Sequence, residues 1–229
     1  MMKKTITTLS ILSILSMSVA TSQAALMFVG FDSDSEQFSF VSDVDITSGT
    51  QLFFTDDEWG GTNFNDANEG TMSITLSATL TAGSVVIIDG PEDSVSGASG
   101  TLAHDDTSFN MSGSGDSIYA FSGSRATPVF LGFLTTNSDT APDTGSSIDR
   151  SSFSGTDVFA YTGPTSGEAS FSDYAALIQD VENWTAQGDG SGSQSANFAP
   201  PSDFTVVPEP SSTALLGLGG LALILRRRR

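Results

Sequence analysis

Apolar and hydroxyl side chains alternate strictly along residues 72–80, and this pattern constrains the fold more than any other feature of the chain. The even-numbered positions are apolar, and the odd-numbered positions carry Ser or Thr, which we expect to face water. A period of two is typical of a half-buried antiparallel strand. Further short apolar blocks predict strands at residues 26–31, 38–46, 51–55, 84–88, 117–121, 129–134, 158–161 and 204–207.

One stretch has a helical period instead. Phe171, Tyr174, Ile178 and Val181 are spaced by three and four residues, which predicts a short helix near residues 172–184, capped by Ser170 or Ser172. About nine short strands separated by Gly, Asn, Asp and Pro favour two packed sheets over a barrel. The sequence therefore predicts an all-β body over residues 25–207, an Ig-like β-sandwich with one short helix.

The charge distribution excludes one class of partner. Residues 25–207 hold 26 acidic residues and only two basic ones, Arg125 and Arg150, which is a net of 24 negative charges. A surface so poor in cations does not neutralise phosphates, so nucleic acid is excluded as a partner. The chain has no cysteine, which excludes disulfides, thiolate metal sites and a cysteine nucleophile.

The N-terminus has the three-part layout of a secretory signal peptide. Lys3 and Lys4 are followed by an apolar stretch from residue 6 to about residue 20, and then by small residues. Ser22 and Ala24 fit a cleavage after Ala24, so residues 1–24 are predicted to be removed on export through the Sec machinery. An uncut N-terminal anchor is the alternative.

The C-terminus carries a second signal. Pro208, Glu209 and Pro210 precede 15 uncharged residues, 211–225, and the chain ends in Arg226, Arg227, Arg228 and Arg229. A helix over 211–225 would span about 22 Å, which is shorter than a hydrocarbon core of roughly 30 Å. The arginines predict that this end stays on the cytoplasmic side of a membrane helix.

Together these parts resemble the PEP-CTERM sorting signal, which has a Pro-Glu-Pro motif, a short apolar helix and a terminal basic cluster in this order. The resemblance covers residues 208–229 and implies a membrane protease of the exosortase class as a partner. It also implies an inner-membrane intermediate, followed by delivery to the cell surface or the extracellular space of a bacterium that makes exopolysaccharide. A permanent C-terminal anchor without processing is the alternative.

The body is similar, in several ordered segments, to a β-sandwich module of bacterial secreted proteins that is distantly similar to the lamin-tail domain. The similar segments are residues 27–31, 44–50, 54–59, 68–70, 82–87, 115–121, 128–131 and 183–185. The resemblance implies a single domain and assigns no catalytic residues.

Few groups in the body suit catalysis. His104 is the only histidine, and the chain contains no Gly-x-Ser-x-Gly elbow, so we expect His104 to be an exposed loop residue rather than part of a triad. The body contains no lysine, which a phosphate-binding loop needs. We therefore expect no enzyme and no cofactor. A hydrolase that uses two carboxylates is the remaining enzymatic alternative.

Carboxylates are abundant, and their oxygens suit Ca²⁺, the one ion that the sequence allows for. Two clusters are candidates, although turn formation on a solvated face is the more ordinary explanation for such residues. The first cluster is Asp32, Asp34 and Glu36, and the second is Asp56, Asp57, Glu58, Asp66 and Glu69. Gln37 stands where an EF-hand needs glycine, so an EF-hand is not supported.

The sequence thus predicts a non-enzymatic, exported cell-envelope or extracellular-matrix protein with a structural or interaction role. Its negative charge allows divalent cations to bridge it to anionic polysaccharide. The alternative from another class is a calcium-dependent carbohydrate-binding module.

Overall fold

The computed structural model describes residues 24–64, 69–90, 93–104, 109–137, 139, 141–142, 146–188 and 197–207. The predicted sorting segment 208–229, with its membrane helix at 211–225, and residues 1–23 of the predicted signal peptide lie outside these residues, as does Asp66. No helix within the described ranges is both long enough and apolar enough to cross a membrane.

The described residues form twelve strands and one short α-helix. The strands are β1 Leu26–Asp32, β2 Gln37–Ser42, β3 Gln51–Thr55, β4 Thr71–Leu76, β5 Val85–Asp89, β6 Ser94–Ser96, β7 Gly100–His104, β8 Ser117–Ser124, β9 Thr127–Thr135, β10 Ser147–Asp149, β11 Val158–Tyr161 and β12 Trp184–Gly188. The helix, α1, is Tyr174–Gln179. The prediction of a mostly β body is confirmed.

The strands make two six-stranded sheets. The first sheet has the order β12-β11-β1-β2-β5-β6, and the second has the order β10-β9-β8-β3-β4-β7. Neighbouring strands are antiparallel except for β10, which runs parallel to β9. The two predicted strand ranges 51–55 and 158–161 coincide with β3 and β11.

Aromatic rings from both sheets fill the space between them. Phe54 of β3 lies 6.5 Å from Phe28, 5.0 Å from Phe38 and 5.3 Å from Phe40, measured between ring centres. All four rings are completely buried. Because these contacts join β3 of the second sheet to β1 and β2 of the first, the two sheets form a sandwich around one core.

The two sheets approach each other closely where β9 passes β1. A Cβ atom on Gly132 of β9 would lie 2.1 Å from the carbonyl oxygen of Leu26, a distance that no side chain tolerates. Only glycine permits this approach.

The predicted helix near 172–184 is shorter than the sequence suggested. Two 3-10 turns, 171–173 and 181–183, flank α1, and Trp184 begins β12 instead of ending a helix. The Ser170 N–H and hydroxyl both donate to the Asp173 carboxylate, at 2.9 and 2.7 Å, which caps the first turn as predicted. The Trp184 indole N–H donates to the Ile178 carbonyl at 2.7 Å and fixes the end of α1.

Three other details differ from prediction. Ser73 is buried, and the Gln51 side chain on the neighbouring strand satisfies its hydroxyl by donating a hydrogen bond to it at 3.2 Å. The block at 38–46 stops being a strand after Ser42, whose hydroxyl donates to the Val44 carbonyl at 2.8 Å. Residues 204–207 form only a single bridge, between Thr205 and residue 166.

Candidate functional site

The loop between β3 and β4 brings three carboxylates together. Thr55 pairs with Thr71 across these antiparallel strands, so the residues that follow β3 lie beside those that precede β4. Side-chain oxygens of Asp57, Glu58 and Glu69 lie within 4.8 Å of one another. Asp57 is completely buried, whereas Glu58 and Glu69 reach solvent. The strand register therefore assembles residues that are twelve positions apart.

Three consecutive backbone N–H groups hold three further carboxylates beside this loop. The N–H groups of residues 110–112 donate in order to Asp56, Glu36 and Asp116, at 2.7, 2.5 and 2.7 Å. Glu36 belongs to the turn between β1 and β2, and Asp116 immediately precedes β8. We refer to the six side chains as the acid cluster: Glu36, Asp56, Asp57, Glu58, Glu69 and Asp116.

Burial raises the pKa of four members of the acid cluster. The pKa rises from 4.5 to about 7 for Glu36 and to about 8 for Glu69, and from 3.8 to about 6 for Asp56 and to about 7 for Asp116. Desolvation is the largest cause in each case, and neighbouring carboxylates add to it. The charge of Asp56 raises the pKa of Glu36, Glu69 and Asp116, which places Asp56 among them.

Arg125 is the cation that contacts the acid cluster. Its guanidinium donates to the Asp57 carboxylate and, at 2.6 Å, to the Thr71 hydroxyl. Arg150, the other basic residue of the body, is buried elsewhere, with its guanidinium 4.5 Å from the centre of the Trp184 ring. One guanidinium does not balance six carboxylates, so an ionised cluster carries a strong negative charge.

Aromatic side chains hold the same loop against the outer face of the second sheet. Trp59 packs edge-to-face on Phe64, at 5.1 Å between ring centres, and on Phe130, at 4.9 Å. The Trp59 backbone N–H donates to the Tyr119 hydroxyl at 3.3 Å. Packing therefore accounts for Trp59, and the carboxylates next to it are attached to a fixed scaffold.

The first predicted calcium cluster does not form a separate group of ligands. The Asp32 carboxylate accepts the N–H groups of Asp34 and Ser35 and the Ser35 hydroxyl, at 2.6–3.2 Å, and so it organises the turn after β1. Asp34 is exposed on this turn. Glu36 reaches away from them to the Met111 N–H, so the structure joins it to the second cluster.

Sequence reasoning missed Asp116 and the backbone of residues 110–112. Asp116 lies 60 positions after Asp56, and it belongs to the acid cluster because β8 pairs with β3. No local spacing in the sequence indicates this pairing.

His104 lies at the end of β7 and not in a loop, contrary to prediction. It pairs with Met72 of β4, and its Nε2 atom lies 2.7 Å from the Asp93 carboxylate. As predicted, His104 is exposed.

The last described residues tie the chain end to the body. Phe204 is buried against Tyr161 and Tyr174, at 5.8 and 4.9 Å between ring centres. The Val207 N–H donates to the Glu168 carbonyl at 2.8 Å. The residue that directly precedes Pro208 is therefore hydrogen-bonded to the folded domain.

Comparison with known proteins identifies the C-terminal segment of the chain. The family model described as PEP-CTERM protein-sorting motif matches residues 206–229, a range that includes Pro208, Glu209, Pro210 and the four terminal arginines. No curated protein and no solved structure matches the chain, so the similarity of the body to the lamin-tail domain has no support.

The class of protein follows from the fold and this match. It is a mostly β protein with a C-terminal PEP-CTERM sorting motif. The motif marks an exported protein that exosortase, a membrane enzyme, processes before the protein reaches the cell surface.

Proposed function

We propose that the protein is a non-enzymatic component of the cell envelope or of an extracellular matrix, with a structural or interaction role. It is exported through the Sec machinery, its signal peptide is removed, and an exosortase-type protease releases the body from the membrane. The observation that carries this proposal is the sorting motif at residues 206–229, attached directly to a folded β-sandwich.

The chemistry of the body supports a non-catalytic role. Residues 25–207 contain one histidine, no cysteine and no lysine. Their net negative charge keeps the protein soluble and attracts divalent cations, which bridge it to anionic polysaccharide. The same charge repels an anionic polymer where cations are scarce.

The position of the motif sets a limit on processing. Phe204 fills the core beside Tyr161 and Tyr174, so a cut upstream of it would remove a buried side chain. A cut within or after residues 208–210 leaves the sandwich whole. We therefore place the processing site at or after Pro208.

Calcium-dependent carbohydrate binding is a second candidate. The half-buried Trp59 adjoins Glu58 of the acid cluster, so an aromatic ring and carboxylates lie next to each other on the same loop. In this candidate, binding to a sugar requires a Ca²⁺ ion held by these carboxylates.

A pulse-chase experiment in the native host tests the sorting proposal. We expect the wild-type chain to mature to a smaller mass, because the protease removes the segment after the motif. Pro208→Ala changes the motif, and we expect this variant to keep the full tail and to accumulate in the membrane. The measurement is the mass and the cell fraction of labelled protein over time.

Pro200→Ala is the matched control, because it makes the same chemical change within the described body and outside residues 206–229. It should mature like the wild type. If the Pro208→Ala chain matures to the wild-type mass at the wild-type rate, the motif does not direct processing and the proposal is wrong.

A further inference from the structure

We propose that Asp57, Glu58 and Glu69, which lie beside the buried Asp56, form a binding site for one Ca²⁺ ion that ties the β3–β4 loop to the body. The site lies outside the sorting segment, so it goes beyond the proposed function.

The spacing of the three carboxylates fits the ion. Calcium binds oxygen ligands at about 2.3–2.6 Å, so ligands on opposite sides of the ion are separated by about 4.6–5.2 Å. The ligand oxygens of Asp57, Glu58 and Glu69 all lie within 4.8 Å of one another. A single ion therefore fits between them without rearrangement of the backbone.

A buried oxygen without a partner is the second, independent observation. Asp56 is only 2 % exposed, and its Oδ2 atom accepts the Asn110 N–H at 2.7 Å. Its Oδ1 atom is buried and accepts no hydrogen bond of good geometry among the described residues, although the N–H groups of residues 56 and 70 lie close enough to the carboxylate to lower its pKa. Leaving a charged oxygen in this state is costly, and a cation close to Asp56 offsets the cost. The Oε2 atom of Glu69 is also buried and accepts no hydrogen bond among the described residues.

The local charge balance favours a cation. Arg125 contacts Asp57, and it is the only Lys or Arg that residues 25–207 bring to the acid cluster. Two further positive charges from one ion would reduce the repulsion between Asp56, Asp57, Glu58 and Glu69.

The ligand set favours calcium over other metals. All candidate ligands are carboxylate oxygens, which are hard donors, and the one histidine of the chain is held by Asp93. Mg²⁺ prefers oxygens at about 2.0–2.1 Å in a strict octahedron, which sets opposite ligands only about 4.1 Å apart. Mg²⁺ also gives up its waters reluctantly and is usually bound through only one or two carboxylates, so a site with three carboxylates suits Ca²⁺ better.

Calorimetric titration of the chelator-treated full chain in a mild detergent tests the site. We expect one Ca²⁺ per chain with a dissociation constant on the order of 10⁻⁴–10⁻³ M, as in other extracellular modules. Glu58→Gln combined with Glu69→Gln should weaken binding at least tenfold, with an unchanged circular dichroism spectrum. Glu182→Gln, at an exposed position in the 3-10 turn 181–183, should bind like the wild type.

Terbium luminescence gives a test that depends on no variant. Tb³⁺ takes calcium sites, and the Trp59 indole next to Glu58 should sensitise its emission, which added Ca²⁺ should then quench. The proposal is wrong if the wild-type protein shows no saturable binding of Ca²⁺, if it binds Mg²⁺ more tightly, or if sensitised emission is absent.

Discussion

We expect Phe54→Ala to lower the free energy of unfolding of the body by about 3–5 kcal/mol. Phe54 is completely buried, and its ring contacts Phe28, Phe38 and Phe40 on the opposite sheet. Alanine removes these contacts and leaves a cavity that two rigid sheets fill only in part. Urea unfolding, followed by tryptophan fluorescence, measures the loss as a shift in the midpoint.

Phe53→Ala is the matched control on the same strand. Phe53 lies on the outer face of the second sheet, is partly exposed, and stacks on Phe121 at 5.4 Å between ring centres. We expect its loss to cost about 1–2 kcal/mol, because the cavity opens to water. Equal losses for the two variants would contradict a core that lies between the sheets.

The second large effect concerns pH. In the presence of a chelator, we expect Glu36→Gln to stabilise the body at pH 8 and to change little at pH 5. Burial raises the pKa of Glu36 to about 7, with added repulsion from Asp56 and Asp32. Between about pH 4.5 and 7 the native protein therefore keeps a proton on Glu36 that the unfolded chain has released, so stability falls as pH rises through this window.

Glutamine keeps the oxygen that accepts the Met111 N–H and removes the charge. Because solvent screens the half-buried Glu36, we expect the gain at pH 8 to be about 1–2 kcal/mol. Thermal unfolding at pH 5 and pH 8 measures it. Glu182→Gln removes the same charge at an exposed position. Its free energy of unfolding should stay within about 0.5 kcal/mol of the wild-type value at both pH 5 and pH 8. If the Glu36→Gln variant is less stable than the wild type at pH 8, then the ionised Glu36 carboxylate does not destabilise the native protein.

The strands with strong patterns were predictable from sequence. Short apolar blocks located β3 and β11 to the residue, since most of their side chains are buried in the sandwich. The edge strands β6 and β7 were not predicted, because residues such as Ser94 and Gly100 have little strand preference of their own. They become strands by pairing with β5 and β4.

The acid cluster was only half predictable. Composition indicated the carboxylates of residues 56–69, since they are crowded into one loop. The roles of Glu36 and Asp116 depend on contacts with residues 110–112, which are formed by the order of strands in the sheets. The sequence placed Glu36 with Asp32 and Asp34, whereas the structure turns it toward Asp56.

The C-terminal end of the described body lies directly before the Pro-Glu-Pro segment. Phe204 lies in the core and Val207 is hydrogen-bonded to Glu168, so the described body extends to the residue that directly precedes Pro208. We expect a protease that cuts at or after Pro208 to leave these contacts in place. Calcium outside the cell would then reach the acid cluster, which lies on the loop after β3.

The intact mass of the protein recovered from the surface or medium of its own cells tests the central claim most directly. We predict a chain that begins at Ala25 and has lost the terminal arginines, with its last residue at or after Pro208. A recovered chain that retains all 229 residues and is found only in the cytosol would contradict export and sorting alike.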